Sequence, residues 1–181
     1  MLLELEKSCL LLVDVQQKLT PLVKNSEQLV ANCGWLLELA QTLEVPRLVT
    51  EQYPKGLGHT VEALQVFLEN VAVHEKQDFS VCADQSCHTA LQSLNRSQIV
   101  VMGIETSVCI LQTVMQLLET GQQVYVIVDA VSARHEIDHQ LALKRMKKMG
   151  ATLITKEMVL FEWLRSAAHP KFKELSLKFL R

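Results

Sequence analysis

Short runs of apolar residues recur along the chain and end at polar residues or glycine. The first run, Cys9 to Val13, is continuously apolar and stops at Asp14. A run of this length without alternation is typical of a strand that is buried on both faces of a parallel sheet. Similar runs predict five further strands, at residues 47–50, 71–74, 97–102, 124–128 and 152–154.

Segments with apolar residues at helical spacing separate these runs. The residues after Ser26 follow this spacing up to Ala40 and predict a helix that Ser26 caps. Residues 51–59 contain Pro54 and two glycines and predict a loop. Further helices are predicted at residues 60–68, at 84–94 with Asp84 as the cap, at 106–120, around 137–146, and beyond residue 154.

The alternation of strands and helices indicates a parallel sheet that helices cover on both faces. Because the chain shows no internal repeat, low-complexity tract or interdomain linker, we expect residues 1–181 to form a single domain. The length and a hydrophobic share of 49% supply enough material for one large core.

Charge and cysteine content narrow the classes of partner and location. The 18 Lys and Arg against 20 Asp and Glu leave a formal net charge of −2, which gives no reason to expect nucleic acid or an anionic membrane as partner. The apolar run at residues 9–13 is too short to span a bilayer or to form a signal peptide, so we expect a cytoplasmic protein. Five cysteines without a CxxC pair predict reduced thiols.

Three chemically useful groups lie just past the ends of predicted strands. Asp14 follows the first strand, Lys76 follows the third, and the segment from Gly103 to Cys109 follows the fourth. In parallel α/β sheets, ligands bind outside the carboxyl ends of the strands. We therefore expect these groups to meet at one edge of the sheet. Taken singly, each has an ordinary interpretation: a capping aspartate, a solvated lysine and a buried helix cysteine.

The predicted position of Cys109 suits a nucleophile. It falls in the first turn of a helix, where unpaired backbone N–H groups and the positive end of the helix dipole favour an anion. We therefore expect the thiol pKa to be lowered, and a fall of two units corresponds to about 2.7 kcal/mol. The same N–H groups could receive the oxyanion of a tetrahedral intermediate.

A second motif suggests a different class of enzyme. The segment from His135 to His139 matches HExxH, in which two histidines one helical turn apart bind the zinc of a metalloprotease. Here the match falls on a polar helix start after a predicted loop at residues 129–134, and the one later histidine is His169. This context favours a solvated, acid-rich first turn, and a zinc metalloprotease is the alternative.

Three ordered segments carry a recognisable pattern: Asp14-Val15-Gln16, Lys76 with Phe79-Ser80, and Gly103-Ile104-Glu105-Thr106-Ser107-Val108-Cys109. Together they resemble the three motifs of the isochorismatase-like cysteine hydrolases, and the resemblance covers nearly the whole chain. The stretches at residues 50–58 and 167–174 are most similar to the isochorismatase domain-containing branch. The ordered set of aspartate, lysine and GxxxxxC is specific, whereas any one piece is a weak signal.

The resemblance implies a fold and a mechanism. The fold is a three-layer α/β/α sandwich, Rossmann-like, with a six-stranded parallel sheet. In the implied mechanism Asp14 takes the thiol proton, Lys76 holds the ion pair, and Cys109 attacks a carbonyl to form an acyl-thioester that water hydrolyses. The implied oxyanion hole consists of the backbone N–H groups of Glu105 and Cys109, with a cis peptide between Ile104 and Glu105. No cofactor is implied.

Departures from the family pattern narrow the range of expected substrates. Nicotinamidases carry a metal-binding Asp-x-His after the second strand, where this chain has Glu51-Gln52-Tyr53-Pro54, so we expect neither that metal site nor nicotinamide as substrate. True isochorismatases act on a vinyl ether and need not keep the cysteine. Cys109 therefore favours a small amide or related acyl substrate, and hydrolysis of carbon–nitrogen bonds other than peptide bonds.

The remaining expectations concern the pocket and the partners. A small-molecule substrate is expected to lie near Leu19, Tyr53, Phe79 and Ser132. Because the family commonly forms oligomers and the leucine-rich helices offer apolar faces, we expect a homo-oligomer. The alternative is a catalytically idle scaffold that acts as a protein-interaction module, since the branch includes members without an assigned reaction.

Overall fold

The computed structural model describes residues 1–180 and is built on a six-stranded sheet. The strands lie in the order β3-β2-β1-β4-β5-β6, and every neighbouring pair is parallel. The chain adds β2 and β3 on one side of β1 and then adds β4, β5 and β6 on the other side. The direction of winding therefore reverses between β1 and β4. Such a switch point leaves a crevice at the carboxyl ends of the strands. The strands are β1 (Ser8–Val13), β2 (Arg47–Gln52), β3 (Val73–Lys76), β4 (Gln98–Ile104), β5 (Gln123–Ser132) and β6 (Thr152–Ile154).

Helices cover both faces of this sheet, which confirms the three-layer α/β/α sandwich. The core on one face includes residues of α1, α7 and α8, and the core on the other includes residues of α4, α5 and α6. A π turn, Thr106–Ile110, comes between β4 and α5. The helices are α1 (Ser26–Thr42), α2 (Pro54–Leu57), α3 (Glu62–Gln65), α4 (Gln85–Ser93), α5 (Leu111–Glu119), α6 (Glu136–Lys148), α7 (Lys156–Leu164) and α8 (Phe172–Phe179).

The central strand β1 shows why its sequence is apolar without alternation. Leu10 and Leu12 belong to the core on one face, whereas Cys9, Leu11 and Val13 belong to the core on the other. Successive side chains of a strand point to opposite faces, so a strand between two helical layers needs apolar residues at every position. Each fully buried aliphatic side chain contributes about 1.5–3 kcal/mol.

Several strands extend beyond their predicted ends. β2 continues to Gln52 and α2 starts at Pro54, so the loop predicted over residues 51–59 is partly regular structure. β3 ends on Lys76 instead of before it, and β5 runs through Asp129, where a loop was predicted, to Ser132. The physical reason is that polar side chains at these strand ends form their hydrogen bonds inside the fold. A prediction based on runs of apolar residues therefore ends the strand too early.

The two predicted helix caps have different outcomes. The side chain of Asp84 accepts hydrogen bonds from the backbone N–H groups of Ser86 and Cys87, which confirms it as the cap of α4. Ser26 is wrong as the cap of α1, because it is already helical and the preceding Asn25 is in the left-handed conformation without a capping hydrogen bond. Within residues 1–180, no helix is long and apolar enough to cross a lipid bilayer.

Candidate active site

Asp14 begins the site at the switch point of the sheet. It directly follows β1, is fully buried, and adopts a left-handed φ of 53°, a conformation that aspartate tolerates better than most residues. One carboxylate oxygen, Oδ1, accepts a hydrogen bond from the Thr50 hydroxyl at 2.8 Å. The other, Oδ2, accepts from Lys76 Nζ at 2.7 Å. A buried carboxylate is costly unless it is paired, and both oxygens of Asp14 have a partner.

Lys76 reaches this carboxylate from the edge strand of the sheet. It is the last residue of β3 and is only 1% exposed, and its side chain extends past β2 towards β1. Besides Asp14, its Nζ donates to Gln52 Oε1 at 2.7 Å, to the carbonyl of Phe79 at 2.9 Å and to that of Asp78 at 3.2 Å. These acceptors engage all three protons of an ammonium group, so the charge is both compensated and oriented.

Cys109 completes the cluster from the turn after β4. It lies in the π turn that leads into α5, and 6% of its surface is exposed. The Asp14 carboxylate and the Lys76 ammonium are the charged groups beside its thiol, and both act on the pKa of that thiol. The structure therefore brings together the three residues that the sequence placed at separate strand ends, and a helical turn presents the sulfur as predicted.

The charge state of the cluster differs from the expectation. The pKa of the Cys109 thiol is raised to about 12, because burial and, to a smaller extent, the Asp14 carboxylate disfavour the thiolate, while the Lys76 ammonium opposes the rise. The prediction of a lowered thiol pKa is therefore wrong for the free protein. Burial also raises the pKa of Asp14 above its ordinary value, against the opposing effects of Lys76, Thr50 and the thiol. The resting site holds a protonated sulfur beside a carboxylate of increased basicity.

The turn between β4 and Cys109 has the backbone form that the resemblance implied. The peptide bond between Ile104 and Glu105 is cis. The backbone N–H groups of Val108 and Ile110 both donate to the Glu105 carbonyl, at 3.0 and 3.2 Å. Cys109 thus sits in the first turn, where backbone N–H groups lack helical partners. That the N–H groups of Glu105 and Cys109 receive an oxyanion stays a prediction.

Gly103, near the end of β4, lets this strand approach β1 closely. Its φ is 120°, and a Cβ built on it would collide with the Val13 carbonyl oxygen. Val13 directly precedes Asp14, and it pairs with Gly103 in the register of β1 and β4. The glycine therefore sets the contact between the strand that ends at the aspartate and the strand that leads to the cysteine.

The four residues predicted to line the pocket fall in three places. Tyr53 and Phe79 flank Lys76: the Tyr53 N–H donates to the Lys76 carbonyl at 3.0 Å, and the two aromatic residues are 48% and 53% exposed. Leu19 is half-buried against the core that includes α1. Ser132 is buried at the end of β5 and lines a neighbouring cavity of about 300 Å³. Whether any of the four contacts substrate stays a prediction.

Thr50 and Gln52 are site residues that the sequence reasoning missed. Both lie on β2, which is between β1 and β3, and each holds one of the charged groups through a side-chain hydrogen bond. The sequence signal that could have identified them is their position at the carboxyl end of β2, which neighbours β1, the strand that ends before Asp14. Buried polar residues there need partners, and the charged groups of the site are the nearest ones.

Glu51 lies where nicotinamidases carry the first of their metal ligands, and here its carboxylate is engaged in hydrogen bonds within the chain. Glu51 accepts from the Thr60 N–H at 2.6 Å and the Thr60 hydroxyl at 2.8 Å, and its other oxygen is 2.9 Å from His59 Nδ1. Burial would raise the pKa of Glu51, but the hydrogen bonds from Thr60 and His59 outweigh it and lower the pKa. Across residues 1–180, no group of three or more His, Cys, Asp or Glu side chains is arranged to hold a metal, and this includes the HExxH segment.

The amino-acid sequence is similar to that of a known protein family. The profile of the isochorismatase domain matches residues 8–158. Isochorismatase domain-containing protein 2 of Danio rerio is 40% identical over 169 residues, which cover 93% of this chain and 84% of the relative.

Solved structures share the fold. MAR1 ribonuclease from Caenorhabditis elegans has a TM-score of 0.94 at 37% identity, and the match covers 100% of this chain and 93% of that one. The YcaC gene product from Escherichia coli, described as an octameric hydrolase of unknown specificity, has a TM-score of 0.89 at 23% identity over 99% of this chain and 96% of its own. By its matched domain and its relatives, the chain belongs to the isochorismatase family of hydrolases.

Proposed function

We propose that the protein is a cysteine hydrolase that acts on a small amide or related acyl substrate. The observation that carries the proposal is that the buried Cys109 thiol lies beside the buried ion pair of Asp14 and Lys76, whose charges both act on the thiol. A nucleophile beside a base, with the base held by a third group, is the arrangement that covalent catalysis requires. Hydrolysis of a carbon–nitrogen bond outside peptides is the reaction class that we assign to it.

The reaction has two halves with the same base. In the first, the Cys109 sulfur attacks the substrate carbonyl carbon while Asp14 takes the thiol proton. The carbon–nitrogen bond then breaks, and Asp14 returns the proton to the leaving amine, which leaves an acyl-thioester on the sulfur. In the second half Asp14 takes a proton from water, the hydroxide attacks the thioester, and the carbon–sulfur bond breaks. The acid product departs, and the thiol is restored by the proton from Asp14.

The charge state of the site suits proton transfer that accompanies attack. A thiol with a pKa raised to about 12 stays protonated at rest, so the sulfur is activated only when the proton can move to Asp14. A carboxylate with a raised pKa accepts that proton more readily than an ordinary aspartate does. The Lys76 ammonium stabilises whichever of the two partners is the anion.

The surroundings of the site favour a small substrate and a homo-oligomer. The exposed rings of Tyr53 and Phe79 beside Lys76 offer apolar contact for a small molecule, and in an oligomer a second subunit could cover part of them. The octameric state described for YcaC supports this proposal, although at 23% identity that protein shares the fold alone. We further propose that the protein acts in the cytoplasm, because its five cysteines are free.

A screen of amides and imides tests the proposal. Wild-type protein is expected to hydrolyse at least one member, and Cys109→Ala is expected to lose the activity by a factor of roughly 10⁴ or more, as removal of a covalent nucleophile does. Cys82→Ala is the matched control, because Cys82 is a free cysteine outside the cluster. Full activity of Cys109→Ala would contradict the mechanism, and no turnover of any member by wild type would favour the idle scaffold.

RNA belongs in the same screen because the Caenorhabditis elegans structure is described as a ribonuclease. The formal net charge of −2 gives no general attraction to a polyanion, so we expect no RNA cleavage. Cleavage that Cys109→Ala abolishes would redirect the substrate assignment to phosphodiesters while keeping the site.

A further inference from the structure

The start of α6 is tied to the turn that carries Cys109. Arg134 Nε lies 3.0 Å from Glu105 Oε2, and His139 Nδ1 lies 3.0 Å from the Thr106 hydroxyl. Glu105 and Thr106 immediately precede the part of the π turn that holds the nucleophile. The segment that matched HExxH in the sequence therefore contacts the proposed catalytic turn, and the proposed chemistry leaves its residues without a role.

We infer that His139 is a positioning residue that fixes the nucleophile turn through its hydrogen bond to Thr106. This inference rests on the proposed function of Cys109. Thr106 is fully buried, and within residues 1–180 the hydrogen-bond partner of its hydroxyl is His139. A buried hydroxyl that loses its partner is costly, so the turn shifts to satisfy it when the imidazole is removed.

The form of the turn explains why a side-chain tether matters there. A π turn has a wider backbone ring than an α-helix and is rarely stable beyond a single turn. Thr106 is its first residue and Cys109 its fourth, so a movement at Thr106 is passed to the sulfur within one turn. The proposed chemistry needs the sulfur beside Asp14 and Lys76, and a loosened turn would let it move away from them.

Of the two tethers, His139 is the stronger. Arg134 is 55% exposed, and an ion pair in that environment contributes little because water and salt screen it. His139 is half-buried, and burial lowers its pKa while Glu136 opposes the shift, so the imidazole is neutral at neutral pH. A neutral imidazole can take the tautomer that matches the Thr106 hydroxyl.

The rate at which iodoacetamide alkylates Cys109, resolved by peptide mass spectrometry, measures this role without a known substrate. His139→Leu and Thr106→Val remove the hydrogen bond, whereas His139→Asn places an amide near the Nδ1 position and Thr106→Ser keeps the hydroxyl. His135→Leu is the matched control, because His135 lies on the same segment and is exposed. Unfolding midpoints of every variant separate local misplacement from loss of the fold.

We expect the rate at Cys109 to fall at least about fivefold in His139→Leu and in Thr106→Val, with no further fall in the double variant, because both remove one interaction. His139→Asn, Thr106→Ser and His135→Leu should stay within about twofold of wild type. The inference is overturned if His139→Leu keeps the wild-type rate, or if the effects of the two single variants multiply in the double variant. If His139→Leu fails to fold, the comparison of the Cys109 alkylation rates of Thr106→Val, which is nearly isosteric with wild type, and Thr106→Ser decides the question.

The same data separate this inference from the proposed function. If wild-type Cys109 reacts no faster than the other four cysteines, the proposed nucleophile fails whatever His139 does. If wild-type Cys109 is selectively reactive and the His139 variants do not change it, the nucleophile stands and the positioning role fails.

Discussion

Lys76→Met isolates what the buried ammonium contributes to the fold. Methionine has a similar length and an apolar side chain, so the change removes the charge with little loss of volume. The side chains of Lys76 and Asp14 are both fully buried, and their ion pair is 2.7 Å long. The variant leaves the Asp14 carboxylate with the Thr50 hydroxyl as its side-chain donor, and it leaves Gln52 Oε1 without the ammonium donor.

The magnitude follows from removing one partner of a buried pair. An uncompensated buried charge typically costs about 3–5 kcal/mol, and we expect a loss of this size at neutral pH. Lys76 opposes the rise in the pKa of Asp14, so that pKa rises further in the variant. As the pH falls through it, Asp14 becomes neutral and no longer needs a counter-charge. The destabilisation is therefore largest above this pKa and shrinks on acidification.

Urea unfolding at fixed protein concentration, at neutral and mildly acidic pH, measures both effects. The double variant Asp14→Asn/Lys76→Met is the control, because it removes both charges. It should cost at least about 2 kcal/mol less than the sum of the two single variants. A loss below about 1 kcal/mol in Lys76→Met, or additive costs in the double variant, would refute the view that this ion pair is buried and coupled.

Two further predictions concern Gly103 and Asp14. Gly103→Ala should lower the free energy of unfolding by at least about 2 kcal/mol in urea unfolding, because a Cβ there meets the Val13 carbonyl. Gly150→Ala, at φ 112° with open space around its Cβ, should cost less, and equal costs would argue against the close approach. Because Asp14 must be ionised to take the thiol proton and burial raises its pKa above 3.8, the alkylation rate of Cys109 should fall on acidification through a value above 3.8. An unchanged pH profile in Asp14→Asn would contradict its role as base.

Much of the fold could be predicted because its central strands are buried on both faces. The apolar runs of β1 and β4 are continuous, and these two strands lie side by side at the centre of the parallel sheet. The meeting of Asp14, Lys76 and Cys109 was also predictable, because carboxyl ends of parallel strands share one edge. That residues 1–181 form one domain stays a prediction.

The parts that could not be predicted depend on contacts between distant segments. β2 and β3 extend into polar residues because the Lys76 ammonium donates a hydrogen bond to the Gln52 side chain on the adjacent strand. The local sequence of either strand does not indicate this bond. The thiol pKa was predicted to fall from the helix position alone, whereas burial of the whole cluster raises it. The contact of His139 with Thr106 joins residues 33 positions apart, and the motif around His139 suggested a metal instead.

Competition among the five cysteines for iodoacetamide tests the central claim most directly. Cys82 is more exposed than Cys109, and burial raises its pKa only to about 11, so ordinary thiol chemistry favours Cys82. If Asp14 takes the proton from Cys109, native wild-type protein should be alkylated first at Cys109, and Asp14→Asn should lose that preference. Alkylation of Cys82 ahead of Cys109 in wild type, unchanged by Asp14→Asn, would contradict the catalytic cluster.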